Sequence, residues 1–90
     1  VMTSVQLMKY TKDNFSNIYD EISEFVFNED SEYEVILKNG KTRIMLGINN
    51  LSTKMKYLNS FEMAFNGEKE LTDYNYIDLR FDNQVIVKES

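Results

Sequence analysis

Cysteine, histidine, proline and tryptophan are all missing from this 90-residue chain, and glycine occurs only three times. Each absence closes a class of chemistry. Without Cys there is no disulfide framework, no thiolate zinc site and no thiol nucleophile. Without His there is no imidazole base, which excludes Ser-His-Asp and Cys-His mechanisms. Gly40, Gly47 and Gly67 stand apart at positions that read as turns or a helix cap, so no Gly-rich phosphate loop is present. No stretch approaches the roughly 20 apolar residues of a transmembrane helix. The start at Val1 without a signal peptide is expected of a piece cut from a longer protein. Lack of Cys also suits an extracellular bacterial domain.

What is present suffices for a core. Hydrophobic residues make up 42% and aromatics 13%, which places the chain among globular rather than disordered sequences. Residues 1–90 are expected to form one small domain. At this size the ordering entropy, roughly 1.5 kcal/mol per residue, nearly cancels apolar burial, so stabilisation by a partner is expected. The net charge of −5 is unevenly spread: −6 over residues 1–34, +5 over 35–56 and −4 over 57–90. The central block contains Lys38, Lys41, Arg43, Lys54 and Lys56. It can meet an acidic partner or an anionic surface, or simply pair with the acidic flanks.

Hydrophobic spacing predicts the elements. Val1, Val5 and Met8 define a short helix over 3–13, capped by Thr3 or Ser4. Phe15, Ile18, Tyr19 and Ile22 continue at helical spacing, with Asn14 or Ser16 as a cap. Ile22–Asn28 reads as a strand entering a turn at Asn28–Ser31. Alternation at Tyr33, Val35 and Leu37, then Asn39-Gly40, then Ile44 and Leu46 predicts a hairpin of Glu32–Lys38 with Lys41–Gly47, closed by a two-residue type I′ turn. Leu51, Met55, Leu58, Phe61 and Phe65 predict an amphipathic helix over 51–66, capped by Asn49 or Asn50 and ended by Gly67. A polar loop is expected over 68–74. Tyr76–Phe81 and Gln84–Lys88 read as two strands around an Asp82-Asn83 turn. The expected fold is α+β: a mostly antiparallel sheet of about five strands with two helices on one face.

Candidates for chemistry are few. Asp78 and Asp82 are a formal carboxylate pair for glycoside hydrolysis, but one sits beside Arg80 and the other begins a turn. The Asn28–Glu32 loop is oxygen-rich yet lacks the ligand spacing and central Gly of an EF-hand. Neither an enzyme, a metal site nor a cofactor is expected. Nucleic acid is not expected as a partner, given the negative charge and the sparse basic block. The Gln84–Lys88 run is β-prone and lies at the end of the chain. It can template an incoming strand, unless Lys88 and Glu89 blunt that edge.

Three motifs in register resemble one family. They are the Asn39-Gly40 turn with Leu46-Gly47 at the following strand end, Leu51-Ser52-Thr53-Lys54-Met55 within a helix, and Ile77-Asp78-Leu79-Arg80-Phe81 followed by Asp82-Asn83 and Val85-Ile86-Val87-Lys88. Ile22-Ser23-Glu24 matches a further strand start. Together they resemble the C-terminal part of the extracytoplasmic β domain of the bacterial cell-division family FtsQ/DivIB, over about residues 18–88. The family's proline-containing opening segment, POTRA domain, transmembrane helix and cytoplasmic tail have no counterpart in this sequence, so the resemblance implies a truncated β domain. It further implies a non-catalytic divisome scaffold at the extracytoplasmic face of the membrane, at the septum, anchored by a single helix when full length. The implied partners are the extracytoplasmic parts of FtsL and DivIC/FtsB, bound by strand addition. The implied contact residues are Arg80, Phe81, Gln84, Val85, Ile86, Val87 and Lys88. For Arg80 an ion pair with Asp78 or Asp82 is the alternative role. Self-association of the fragment through an open edge is a further possibility. A reading of another class is a stand-alone acidic interaction or inhibitor module that uses its segregated charge.

Overall fold

Thr3 opens the first helix, α1 (Ser4–Asn14), with a reciprocal cap. Its hydroxyl accepts from the Gln6 N–H at 3.2 Å, and the Gln6 side-chain oxygen accepts from the Thr3 N–H at 2.9 Å. The computed structural model describes residues 3–81 and 84–89. Within α1 the buried stripe is Leu7 and Thr11, with Tyr10 packed beside it. This corrects the expected face: Val5 is 74% exposed and Met8 also faces out, while Val1 lies outside the described residues. Thr11 tolerates burial because its hydroxyl donates to the Leu7 carbonyl at 2.8 Å. That satisfied hydroxyl lets Leu7, the larger apolar residue of the competing stripe, take the core position.

The short α2 (Ser16–Glu21) runs directly into β1 (Ile22–Phe27). Phe15 caps α2 without a side-chain bond and packs edge-on against Tyr10, with ring centroids 6.0 Å apart. Next come β2 (Tyr33–Leu37), β3 (Arg43–Gly47) and α3 (Leu51–Met63). A 3-10 turn at Leu71–Asp73 leads into β4 (Tyr74–Asp78), and β5 (Ile86–Glu89) follows. The sheet has five strands in the order β1-β2-β3-β4-β5. All neighbours are antiparallel except β3 and β4, which are parallel. The fold is therefore α+β with three α-helices where two are expected.

Several local readings change. The β2–β3 turn is not type I′, which needs positive φ at both central residues. Only Gly40, at φ +72°, is left-handed there. Asn39 instead uses its side-chain oxygen to accept from the Lys41 and Thr42 N–H groups, each at 3.0 Å. That widens the loop, and β3 starts at Arg43. Asn50 occupies the α3 cap position, but at φ 56° and without a side-chain bond. The expected polar loop over 68–74 contains the 3-10 turn, whose Leu71 is fully buried. The fourth strand begins at Tyr74 and ends at Asp78, because Asp78 turns its carboxylate back onto the Arg80 N–H. The fifth begins at Ile86, so Gln84 and Val85 precede it. The expected Asp82-Asn83 turn lies outside the described residues.

Strand alternation gives the core. Val35, Leu37, Ile44, Leu46 and Ile77 point to one face, where Leu7, Ile18, Leu51, Met55 and Leu58 meet them. Phe61, Phe65 and Tyr74 extend this core at the far end of α3, with centroids 4.8–5.8 Å apart. Leu58→Ala is expected to cost about 3 kcal/mol, for lost transfer energy plus a cavity. Val5→Ser is expected to stay within about 0.5 kcal/mol. Urea unfolding of the two variants checks the corrected helix face.

Glu21 ends α2 close to Glu62 of α3 and to Glu70. Burial pushes its carboxyl up, and a hydrogen bond and like charge from Glu62, then the charge of Glu70, push it further, to about 7. Neither helix has a basic residue in its last turn to offset this. The folded state thus holds a proton that the unfolded chain releases near pH 4.5. This contribution to stability is full below about pH 4.5 and is lost as pH rises through about 7. Glu21→Gln is expected to flatten the fall in melting temperature between those values and to raise it at pH 8. Thermal unfolding across pH checks this.

Candidate functional site

Both edges of the sheet carry a register shift, in the β1–β2 pairing between Ile22 and Glu24 and in the β4–β5 pairing between Tyr74 and Tyr76. β5 pairs with β4 on one side and with no strand on the other, among the described residues. Ile86 and Lys88 are exposed, while Val87 is half-buried against the core. A strand with bare N–H and C=O groups and apolar side chains can accept another strand.

The remaining residues implied as contacts lie beside this edge, not in it. Arg80 and Phe81 follow β4. Phe81 is 49% exposed, with the Arg80 guanidinium 5.8 Å from its ring centre. Gln84 and Val85 lead into β5 and, with Tyr57, Ser60 and Phe61 of α3, line a groove of about 370 Å³. The three α3 residues were not legible as site residues. Phe61 belongs to the stripe that reads as core, and Tyr57 and Ser60 flank it.

Arg80 is anchored rather than free. Its Nη2 meets Asp78 Oδ2 at 2.8 Å, its Nε donates to Asp78 Oδ1 at 2.9 Å, and its backbone N–H donates to the same oxygen at 3.0 Å. Nη1 reaches Glu32 Oε1, 48 residues earlier, at 3.4 Å. The planar guanidinium grips a carboxylate bidentately, which a lysine cannot copy. Asp78 is 5% exposed. Burial pushes its carboxyl up, but hydrogen bonds from the Arg80 side chain and backbone, and the charges of Arg80 and Lys54, outweigh this and hold it below the usual range. The same bonds push the Arg80 guanidinium up.

Lys54 departs most from expectation. It reads with the basic block as meeting a partner or pairing with the acidic flanks, yet it is 3% exposed and its charge acts on Asp78 of the C-terminal flank. Gly47, at φ +82°, needs the left-handed region, and a Cβ there would sit 3.5 Å from Arg80 Cγ. The three motifs Leu46-Gly47, Leu-x-x-Lys54 and Asp78-Leu79-Arg80 therefore converge on one buried carboxylate. A polar cavity of about 260 Å³, lined in part by Glu32, Gly47, Lys54 and Arg80, opens there.

Other candidate chemistry is absorbed by structure. Asn28 Oδ1 accepts from the Asp30 and Glu32 N–H groups, so the oxygen-rich loop spends that ligand on its own turn. Among the described residues no cluster of three acidic side chains could hold a metal ion. Asp82 lies outside the described residues, so the Asp78–Asp82 pair has no described geometry. The basic block does not form one face: Lys38 and Lys41 flank the hairpin loop, Arg43 lies on the sheet face away from α3, and Lys54 is buried.

Asp78→Ala is expected to cost about 3 kcal/mol, since it removes the acceptor of the Arg80 donors and the negative charge on which Lys54 acts. Arg80→Lys is expected to recover less than half the ion-pair contribution. Denaturant titration of both variants checks the bidentate geometry.

A family model described as FtsQ/DivIB, C-terminal related, matches residues 2–88. No curated protein matches the chain.

Proposed function

The chain belongs to the FtsQ/DivIB C-terminal related family, a cell-division family, and from that premise we propose that it is a non-catalytic divisome scaffold domain. Its partners are the extracytoplasmic parts of FtsL and DivIC/FtsB, at the septal membrane. It takes a partner segment as a sixth strand on β5. The observation that carries this reading is the position of β5 at the sheet edge, unpaired on its outer side among the described residues. Supporting it, the Asp78–Arg80 clamp fixes the segment from which Phe81 projects beside that edge. Backbone hydrogen bonds supply the attachment, so no reactive side chain is required. Self-pairing of the free edge competes with the partner.

The alternative, an acidic module that binds through segregated charge, is less favoured because the basic residues are split between the hairpin loop, the sheet face away from α3, and α3, where Lys54 is buried. Mixing the domain with extracytoplasmic fragments of FtsL and DivIC is expected to slow amide exchange at Ile86–Lys88. Phe81→Asp, at a half-exposed position, is expected to weaken binding about tenfold without lowering the melting temperature. Unchanged exchange in β5 on binding would sink strand addition. A steep loss of affinity with salt would favour the charged-module reading.

A further inference from the structure

The helices pack on one face of the sheet, and among the described residues the other face carries no helix. Its composition follows from the register. Val35, Ile44, Ile77 and Val87 point to the core, and Phe25, opposite Val35, packs against it. Their neighbours along each strand therefore point away. Cross-strand pairs place these in two rows. One row is Glu24, Ile36, Arg43, Tyr76 and Lys88. The other is Val26, Glu34, Met45, Asp78 and Ile86. Val26, Ile36, Met45 and Tyr76 are only partly covered, and Ile86 is 41% exposed. Each strand thus contributes one apolar side chain to this face. The charge is ordered too, with exposed Glu24 on β1 and exposed Lys88 on β5.

We propose that this helix-free face pairs two copies of the chain, packed face to face about a two-fold axis running along β3. Such an axis keeps the rows level and lays β1 of one copy over β5 of the other. Glu24 then meets Lys88 of the second copy, twice. Ile36 meets Tyr76, Val26 meets Ile86, and Met45 meets itself. The two Glu24–Lys88 pairs and the apolar pairs repeat under the two-fold, as a closed contact requires. Arg43 also meets itself, but each copy holds it at 3.5 Å from its own Glu34. Glu34 and Asp78 fall opposite each other, but Asp78 is 5% exposed beneath Arg80, and both carboxylates already accept from their own chain, Glu34 from Asn28 and Asp78 from Arg80. Five strands about 4.8 Å apart span about 20 Å and the two rows lie about 7 Å apart, so the contact is below the size of stable interfaces and the dimer is weak. This inference stands apart from strand addition, which uses the edge of β5 and not the face.

Sedimentation velocity on the intact chain, at concentrations up to about 1 mM, tests it. A reversible monomer–dimer equilibrium is expected. Glu24→Lys alone and Lys88→Glu alone are each expected to weaken it about tenfold, and the double reversal to restore it to within about threefold. Circular dichroism melting confirms that each variant folds. A chain that stays monomeric throughout overturns the proposal. So does a dimer indifferent to Glu24→Lys, which is how pairing through the β5 edges would behave. Loss in both single variants without recovery in the double also overturns it, because the two charges would not then face each other.

Discussion

The parallel pairing of β3 with β4 is the constraint on which the remaining architecture rests. Parallel neighbours cannot be joined by a tight turn and need a crossover, here α3. Two long-range bonds pin the pairing at its ends. The buried Thr42 hydroxyl donates to the Tyr74 carbonyl at 2.7 Å, and the Leu79 N–H donates to the Met45 carbonyl at 2.8 Å. With β4 held there, α3 lies across the sheet and Lys54 comes to Asp78. The chain can then return beside β4 only on its outer side, so β5 becomes the edge.

The convergence at Asp78 gives the family motifs a physical meaning. Separately they are a glycine after a strand, a lysine in a helix and an acidic residue near an arginine. In space they are parts of one buried electrostatic knot, in which Gly47 provides the turn, Asp78 the negative centre, and Lys54 and Arg80 the compensating charges. A knot of this kind is costly to break and sets a unique geometry at the exit of β4. Phe81 and the approach to β5 inherit that geometry.

Most elements were legible because their apolar periods are unambiguous. The alternation of Val35, Leu37, Ile44 and Leu46 allows one face, and the stripe of Leu51, Met55 and Leu58 allows one side of α3. Reading failed where two stripes of similar strength competed. Val5 and Met8 on α1 are as apolar as the stripe that is buried, and only the packing of α1 on its neighbours decides. It failed again where residue type stood in for environment. Lys54 is polar by type but buried, and its charge acts on Asp78, which comes from another element. Arg80 showed its Asp78 anchor two residues away, whereas Glu32 is brought in only by the fold. The edge position of β5 was legible from its place in the chain. The groove beside it was not, because Phe61 serves both core and groove wall.

The absence of histidine does not leave the domain indifferent to protons near neutrality. The crowding of Glu21 against Glu62 and Glu70 gives one carboxyl the titration range usually associated with imidazole. Unfolding near pH 6 therefore expels a proton into the buffer. The heat absorbed on unfolding will differ between buffers such as phosphate and imidazole, whose own protonation heats differ, and that difference counts the proton directly.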